Sequence, residues 1–402
     1  MEELTYSFES LATKKMTIRG PVNPLSTPIY LSSTFVLESA KHGAELSEQK
    51  EVSKGSSPYL YSRWGNPTND VCQRLITSLE GGEGTIITAS GMNAITTAVL
   101  SLVQRGDHMV VTRNVYGGAY EFFTDILPKL SGVEVTWVNQ ENIQEYIDAI
   151  KPNTKLFYGE TIANPSMVTL DVERLAKEAQ AKGIVSILDC TFSSVYNIQP
   201  IKLGIDIVIH SASKYYGGHS DLIAGTITAR TPELLTKLNH FHRILGGTAS
   251  PNTSHLLQRG IKTLYLRMKQ HNQNALVIAK FLESHPKVEN VYFLGLETHR
   301  QHELAKKQFG DKGYGGMISF DLKGGYEAGK NFVESLKLIT LAVSLGGIES
   351  LIQHCASMTH TMVPKEDRLK SGITDGMLRF SVGCENVDDL IRDLENAFAA
   401  VN

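Results

Sequence analysis

From about residue 66 the chain alternates short apolar runs with amphipathic stretches. The runs HMVVT (108–112), VEVTWV (133–138), KLFYGE (155–160), IVSILD (184–189), DIVIHS (206–211) and AGTITA (224–229) have the length and β-branched content of strands. Between them, NAITTAVLSLVQ (93–104), residues 141–150 and VERLAKEAQAKG (172–183) carry helical spacing, the last closed by Gly183. Thr231 followed by Pro232 predicts a capped helix start. Strands in alternation with helices predict an α/β fold with a mostly parallel sheet covered on both faces. After about residue 255 a long helical pattern runs through Glu283 and stops near Pro286. VENVYF (288–293), MISFDL (317–322), ITLAVS (339–344) and LRFSVG (378–383) follow as strands among helices, and a last helix begins after Asn386. This half predicts a smaller C-terminal α+β domain. Residues 1–64 lack such periodicity and hold the clusters GPVNPLSTP and SEQKEVSKGSS. They predict an extended arm that must pack on something else. The chain thus divides into an arm (1–64), a large domain (65–255) and a smaller domain (256–402).

Composition narrows the function classes. A net charge of -3 and the absence of a long Lys/Arg run give no reason to expect a nucleic-acid or acidic-membrane partner. The four cysteines, Cys72, Cys190, Cys355 and Cys384, form no CxxC pair. They predict free thiols in a reducing cytoplasm and no metal site. The opening MEELTYSFES is acidic and lacks the apolar centre of a signal peptide. No stretch reaches the ~18 consecutive apolar residues of a membrane span.

The chemistry concentrates in IVIHSASKYYGGHSD (207–221). Ser211, Ser213 and Lys214 follow a strand end, where open α/β sheets bind ligands. A lysine beside two hydroxyls there suits an aldehyde cofactor with a phosphate tail: the amine forms a Schiff base and the hydroxyls donate to phosphate. A solvated lysine in a Ser/Gly-rich loop would read the same way. Asp189 ends the preceding strand, and a carboxylate so placed needs a partner. A cationic ring nitrogen is one; a helix cap or turn is another. In ITASGMNAITTAVL (87–100), Ser90, Gly91 and Met92 open a helix whose N–H groups and dipole favour an anion. Tyr116 lies just past the next strand, where it could stack on a flat cofactor or pack in the core.

Together these residues resemble the cystathionine/methionine metabolism family of pyridoxal-phosphate enzymes. The resemblance covers nearly the whole chain through YSRWGNPT (61–68), ASGM (89–92), YGG (116–118), ETIANP (160–165), DCTF (189–192), HSASKYYGGHSD (210–221), SLGGIESLIQHCASMTH (344–360) and LRFSVG (378–383). It implies the aspartate-aminotransferase-like fold (fold type I), a homotetramer of active dimers, and pyridoxal 5'-phosphate as cofactor. It implies Lys214 as the Schiff-base lysine, Asp189 as the ring-nitrogen partner, and Gly91, Met92, Ser211 and Ser213 as phosphate ligands. Tyr116 would stack on the ring and act as an acid–base group, and Asn164 would bond the ring oxygen. Tyr61 and Arg63 would be donated to the neighbouring subunit's phosphate. Arg379, with Ser344 beside it, would clamp the substrate carboxylate. Glu160 lies near the cofactor in the family without a firm role.

The resemblance implies carbon–sulfur lyase chemistry on a small sulfur-containing amino acid, most simply α,γ-elimination of L-methionine. Where cystathionine-specific relatives have a glutamate before the SLGG serine, this chain has Val343, which suits a short apolar thioether. Other positions depart from methionine γ-lyases. Gly118 replaces the cysteine of the bacterial enzymes, as in cystathionine γ-lyases, and His242 and Arg243 stand where they have a Lys-Asp pair. Arg243 could read an acidic substrate end or be a solvated helix residue. Cys190 replaces the commoner asparagine beside Asp189, most simply as a structural substitution.

Overall fold

The computed structural model describes residues 6–14, 24–48, 57–359, 361, 365–370 and 372–401. Parts of the arm's Pro/Ser and polar clusters, and His360 of the longest signature, lie outside the described residues. Seven strands form the larger sheet: β1 Gly84–Thr88, β2 His108–Thr112, β3 Glu134–Val138, β4 Thr154–Glu160, β5 Val185–Asp189, β6 Ile207–Ser211 and β7 Gly225–Ala229. Their order is β1-β7-β6-β5-β4-β2-β3. The central run from β6 to β3 is parallel, while β7 is antiparallel to both its neighbours.

Strand alternation explains the apolar runs. Phe157, Leu188 and Val208 enter one core, with the helix Pro67–Glu80; Tyr158, Ile187 and Ile209 enter another, with the helix Gly91–Leu100. Both faces are covered, so neither can be polar. Helix starts follow local chemistry. Asn66, Ser90, Asp171, Thr231 and Ser250 each accept a hydrogen bond from a first-turn N–H, and Pro occupies the first turn after Asn66, Thr231 and Ser250.

The second sheet holds β8 Val288–Tyr292, β9 Met317–Leu322, β10 Thr340–Leu341, β11 Leu351–His354 and β12 Met377–Ser381, in the order β10-β11-β12-β9-β8. It packs on its own core of Phe320, Phe332, Phe380, Leu390 and Leu394. The helix Leu264–Ser284 joins the two halves: Leu264 and Met268 lie in the first core, Ala275, Ile278 and Leu282 in the second.

Three expectations change. The arm is not wholly irregular, for Phe8–Thr13 and Ala40–Ser47 are helices. Ala12 is buried in the chain's own large core, and Phe8 packs edge-on against Tyr196. The long helix expected through Glu283 is two helices, Pro251–Lys262 and Leu264–Ser284, broken at Thr263. At the break Gly260 passes so close to the Tyr216 and Gly217 carbonyls that a Cβ would lie 2.3 Å from the Gly217 oxygen. The Gly260 carbonyl also accepts from Arg267 at 2.8 Å. The expected strand at 339–344 narrows to Thr340–Leu341, because the chain turns at Ser344 with φ of 86°.

Candidate active site

Three adjacent strands deliver side chains to one end of the large sheet. Glu160 ends β4, Asp189 ends β5 and Ser211 ends β6, with Glu160 in register with Asp189. Both carboxylates are buried, and neither forms an ion pair with Lys or Arg among the described residues. Burial first, then the charge of Asp189, pushes the Glu160 carboxyl well above its ordinary range. Glu160 Oε1 accepts the Tyr116 backbone N–H at 2.7 Å. Burial also raises Asp189; donation from the Thr191 N–H at 2.9 Å and the charge of His210 act in the opposite direction. Thr191 in turn accepts the Ser211 N–H at 2.8 Å, so the ends of β5 and β6 are tied together.

Lys214 sits three residues beyond β6. Its Nζ donates to Ser344 Oγ at 2.6 Å. Burial, then repulsion from Arg379, pulls its ammonium down to about 8. Ser344 holds a left-handed backbone that a residue with a Cβ adopts at a cost. Its carbonyl accepts from Arg379 at 2.8 Å. One residue therefore anchors both cations. Arg379 lies on β12 beside Gln353 of β11, whose Oε1 accepts at 3.0 Å, and Asn164 Oδ1 accepts at 3.3 Å. All three partners are neutral, and the buried Arg379 Nε has no partner.

The start of the helix Gly91–Leu100 lies beside Ser211. Ser90 caps the helix Gly91–Leu100 by accepting the Asn93 N–H at 3.1 Å. Gly91 lies so near Ser211 that an added Cβ would sit 2.9 Å from Ser211 Cβ. The Ser213 hydroxyl is engaged with the segment leading into β7, donating to the Ala224 carbonyl at 3.3 Å and accepting the Ala224 N–H at 3.0 Å. Tyr116 is 52% exposed. Gly118 makes room for its ring: a Cβ there would meet Tyr116 Cε1 at 2.8 Å and Met92 Sδ at 3.1 Å.

The structure thus gathers Lys214, Asp189, Ser211, Asn164, Ser344 and Arg379 where the two sheets meet, with Gly91, Met92 and Tyr116 beside them. Tyr61 and Arg63 stand apart. Arg63 stacks over the Tyr61 ring at 5.6 Å and donates to the Arg243 carbonyl at 2.5 Å. Neither bonds Gly91, Met92, Ser211 or Lys214 among the described residues. Arg243 lies over the Trp64 ring at 5.2 Å, and His242 beside it is buried and driven down to about 4, first by burial. Val343 is 55% exposed. Cys190 points into the core, where burial pushes its thiol well up. Sequence reading missed Gln353 and Thr191. Gln353 carried a signal, as the one amide within the apolar strand LIQH; Thr191 acts through both its hydroxyl and its backbone N–H, and no local pattern marked it.

No helix among the described residues is long and apolar enough to cross a membrane, and no cluster of His, Cys, Asp or Glu there could hold a metal. A family model described as "Cys/Met metabolism PLP-dependent enzyme" matches residues 12–399. The chain is 42% identical over 404 residues to an L-methionine gamma-lyase of Fusobacterium nucleatum subsp. polymorphum, covering 100% of both chains. It is 45% identical over 374 residues to a cystathionine gamma-lyase of Bacillus subtilis (strain 168), covering 93% of this chain and 94% of that one. A crystal structure of cystathionine gamma-lyase from Lactobacillus plantarum complexed with L-serine superposes with a TM-score of 0.89 at 42% identity, covering 98% of this chain and 99% of that one. With the match running through both sheets and every strand end described above, the chain belongs to the Cys/Met metabolism family of pyridoxal-phosphate-dependent enzymes.

Proposed function

We propose that this enzyme is a carbon–sulfur lyase that eliminates the γ-substituent of L-methionine or a similar S-substituted homocysteine, giving 2-oxobutanoate, ammonia and a thiol. The observation that carries this reading is the shared anchoring of Lys214 and Arg379 on Ser344, at 2.6 and 2.8 Å. A buried guanidinium with only neutral partners is short of an anion, and an amino-acid carboxylate supplies it. An amino acid held there has its α-carbon directed toward an amine already inclined to lose its proton.

The residues fit the family's coenzyme. The buried Asp189 carboxylate, beside a Glu160 that burial pushes toward its neutral form, calls for a cation, and a pyridine nitrogen can carry one. The Gly91–Ser211 approach leaves backbone N–H groups of a helix start open to a phosphate. In this reading Lys214 holds the coenzyme through its amine, Asp189 its ring nitrogen, Asn164 its ring oxygen, and Tyr116 its ring face. Ser90, Gly91, Met92, Ser211 and Ser213 surround its phosphate. When bound, the coenzyme supplies an electron sink for charge at the substrate α-carbon. Lys214 removes the α-proton and then shuttles a β-proton. The Tyr116 phenol, half exposed, protonates the departing sulfur. Arg379 and Ser344 keep the carboxylate fixed throughout.

Tyr61 and Arg63, which bond none of this chain's own site residues among those described, serve a neighbouring subunit. That makes an active dimer the minimal unit and a homotetramer the assembly, with exposed Val36, Leu31 and Ile223 as apolar surface for a second copy. The arm, large domain and smaller domain keep the boundaries 1–64, 65–255 and 256–402 in this reading, and the location is cytoplasmic. A second substrate, cystathionine, is favoured by one observation: Arg243 Nε is buried without a partner, and a guanidinium so placed would suit a distal carboxylate. Purified enzyme offered L-methionine, L-homocysteine and L-cystathionine in turn separates the readings. Thiol and 2-oxobutanoate from methionine are expected. Pyruvate and homocysteine from cystathionine, with nothing from methionine, would overturn the assignment.

A further inference from the structure

Arg267 stands on the first turn of the helix Leu264–Ser284, which joins the two halves, and the proposed reaction gives it no part. It is buried, at 6% exposure. Its Nη1 donates to the Tyr215 carbonyl at 2.6 Å and its Nη2 to the Gly260 and Tyr216 carbonyls at 2.8 and 3.4 Å. Its Nε donates to the Thr263 hydroxyl at 3.2 Å. These acceptors are neutral, and no carboxylate pairs with the guanidinium among the described residues. Burial pulls it down to about 10, so the charge is kept at a cost. An apolar side chain of similar length would avoid that cost, but it lacks a planar fork that bonds several carbonyls at once. Gly218 opens the slot for the fork: its φ is 72°, and a Cβ there would lie 2.1 Å from Arg267 Nη1.

The fork grips the loop that carries Lys214, since Tyr215 and Tyr216 follow the lysine directly. The Gly218 N–H donates back to the Lys214 carbonyl at 2.8 Å, and the Gly217 N–H to the Ala212 carbonyl at 2.9 Å, so the loop closes on itself. Holding two carbonyls of that turn fixes the backbone from which the Lys214 side chain extends. The segment with Ser344 rests on the same turn. The Ile348 N–H donates to the Gly218 carbonyl at 3.0 Å, and a Cβ on Gly346 would lie 2.7 Å from the Tyr215 nitrogen. We propose that Arg267 is a positioning residue: by clamping the carbonyls of Tyr215, Tyr216 and Gly260, it sets where Lys214 stands relative to Ser344, and hence to the coenzyme aldehyde and the substrate α-carbon. This rests on the Schiff-base role read for Lys214. Arg379 keeps its own partners, Gln353 and Asn164, so the clamp acts on the amine and leaves the carboxylate site in place.

Arg267→Lys keeps the charge but replaces the fork with one ammonium, which cannot hold three carbonyls at once. In apo-protein, hydrogen exchange read by mass spectrometry should speed up about tenfold for the peptide carrying residues 215–218, with peptides of the helix Gly91–Leu100 unchanged. In holoenzyme, kcat per bound coenzyme should fall about tenfold with KM within about twofold, because a displaced amine loses rate while Arg379 still meets the substrate carboxylate. A residue that only stabilised the fold would lower the melting temperature and the bound fraction, and leave kcat per bound coenzyme as it was. That result, or unaltered exchange in the lysine loop, overturns the proposal. Thr263→Val removes only the Nε acceptor and decides the matter should Arg267→Lys not fold. It should lower kcat per bound coenzyme about threefold and speed the same loop exchange; no change in either overturns the proposal. Coenzyme found on a lysine other than Lys214 in the wild-type protein would instead strike the functional reading, while exchange in the apo-protein still decides whether Arg267 holds the loop.

Discussion

Lys214 and Arg379 are cations that the fold buries without carboxylate partners, so each responds to what the substrate or coenzyme brings. Arg379→Ala should weaken binding of the substrate by on the order of 2–5 kcal/mol, read as a raised KM, because a charged contact is lost. Arg379→Lys should recover only part of this, since an ammonium cannot clamp a carboxylate through two parallel bonds. Lys214, with its amine pulled down to about 8, should capture pyridoxal phosphate faster as pH rises through that value. The neutral amine is the nucleophile, so the loading rate of apo-protein falls on the acid side; a rate flat from about pH 6 to about 10 would contradict the lowered value. Glu160 is expected to work as a neutral acid that fixes the Tyr116 backbone. Glu160→Gln should therefore keep most activity, while Glu160→Leu, which cannot accept the Tyr116 N–H, should lower kcat at least about tenfold. At this scale the sequence was most legible where function sits in a motif, as in HSASKYYGGHSD. Gln353 and Thr191 escaped because they act through another residue, and such bonds exist only once β11 meets β12 and β5 meets β6.

Strand ends and helix starts carry the site, so changes there should act on coenzyme retention as well as stability. Gly91→Ala puts a methyl 2.9 Å from Ser211 Cβ, at the mouth of the helix Gly91–Leu100. Pyridoxal phosphate affinity should fall, and thermal melting of the apo-protein should fall with it, since the half-buried Gly91 cannot gain a methyl without displacing Ser211. A lost melt with unchanged affinity would place Gly91 in packing instead. The strands of the large sheet were legible because parallel strands buried on both faces must be apolar. The smaller sheet was harder to read. β10 has two residues, its neighbour β11 was hidden among the signature residues, and the break at Thr263 depends on the approach of Gly260 to the lysine loop, a tertiary contact with no local sign.

The two sheets meet where the chain's candidate residues meet, and Tyr61 and Arg63 make their contacts with each other and with Arg243. If Arg63 completes a neighbour's phosphate site, Arg63→Ala and Lys214→Ala proteins, each inactive alone, should regain activity when mixed and allowed to exchange subunits. In a mixed dimer one site then has both an intact Lys214 and an intact Arg63. No recovery, with exchange confirmed by mass, would confine Arg63 to its own chain. Above all these stands the covalent role proposed for Lys214. Holoenzyme reduced with borohydride, digested and analysed by mass spectrometry should carry the pyridoxyl phosphate mass on the peptide containing Lys214. The label on another lysine, with Lys214 unmodified, would contradict the site proposed for this enzyme.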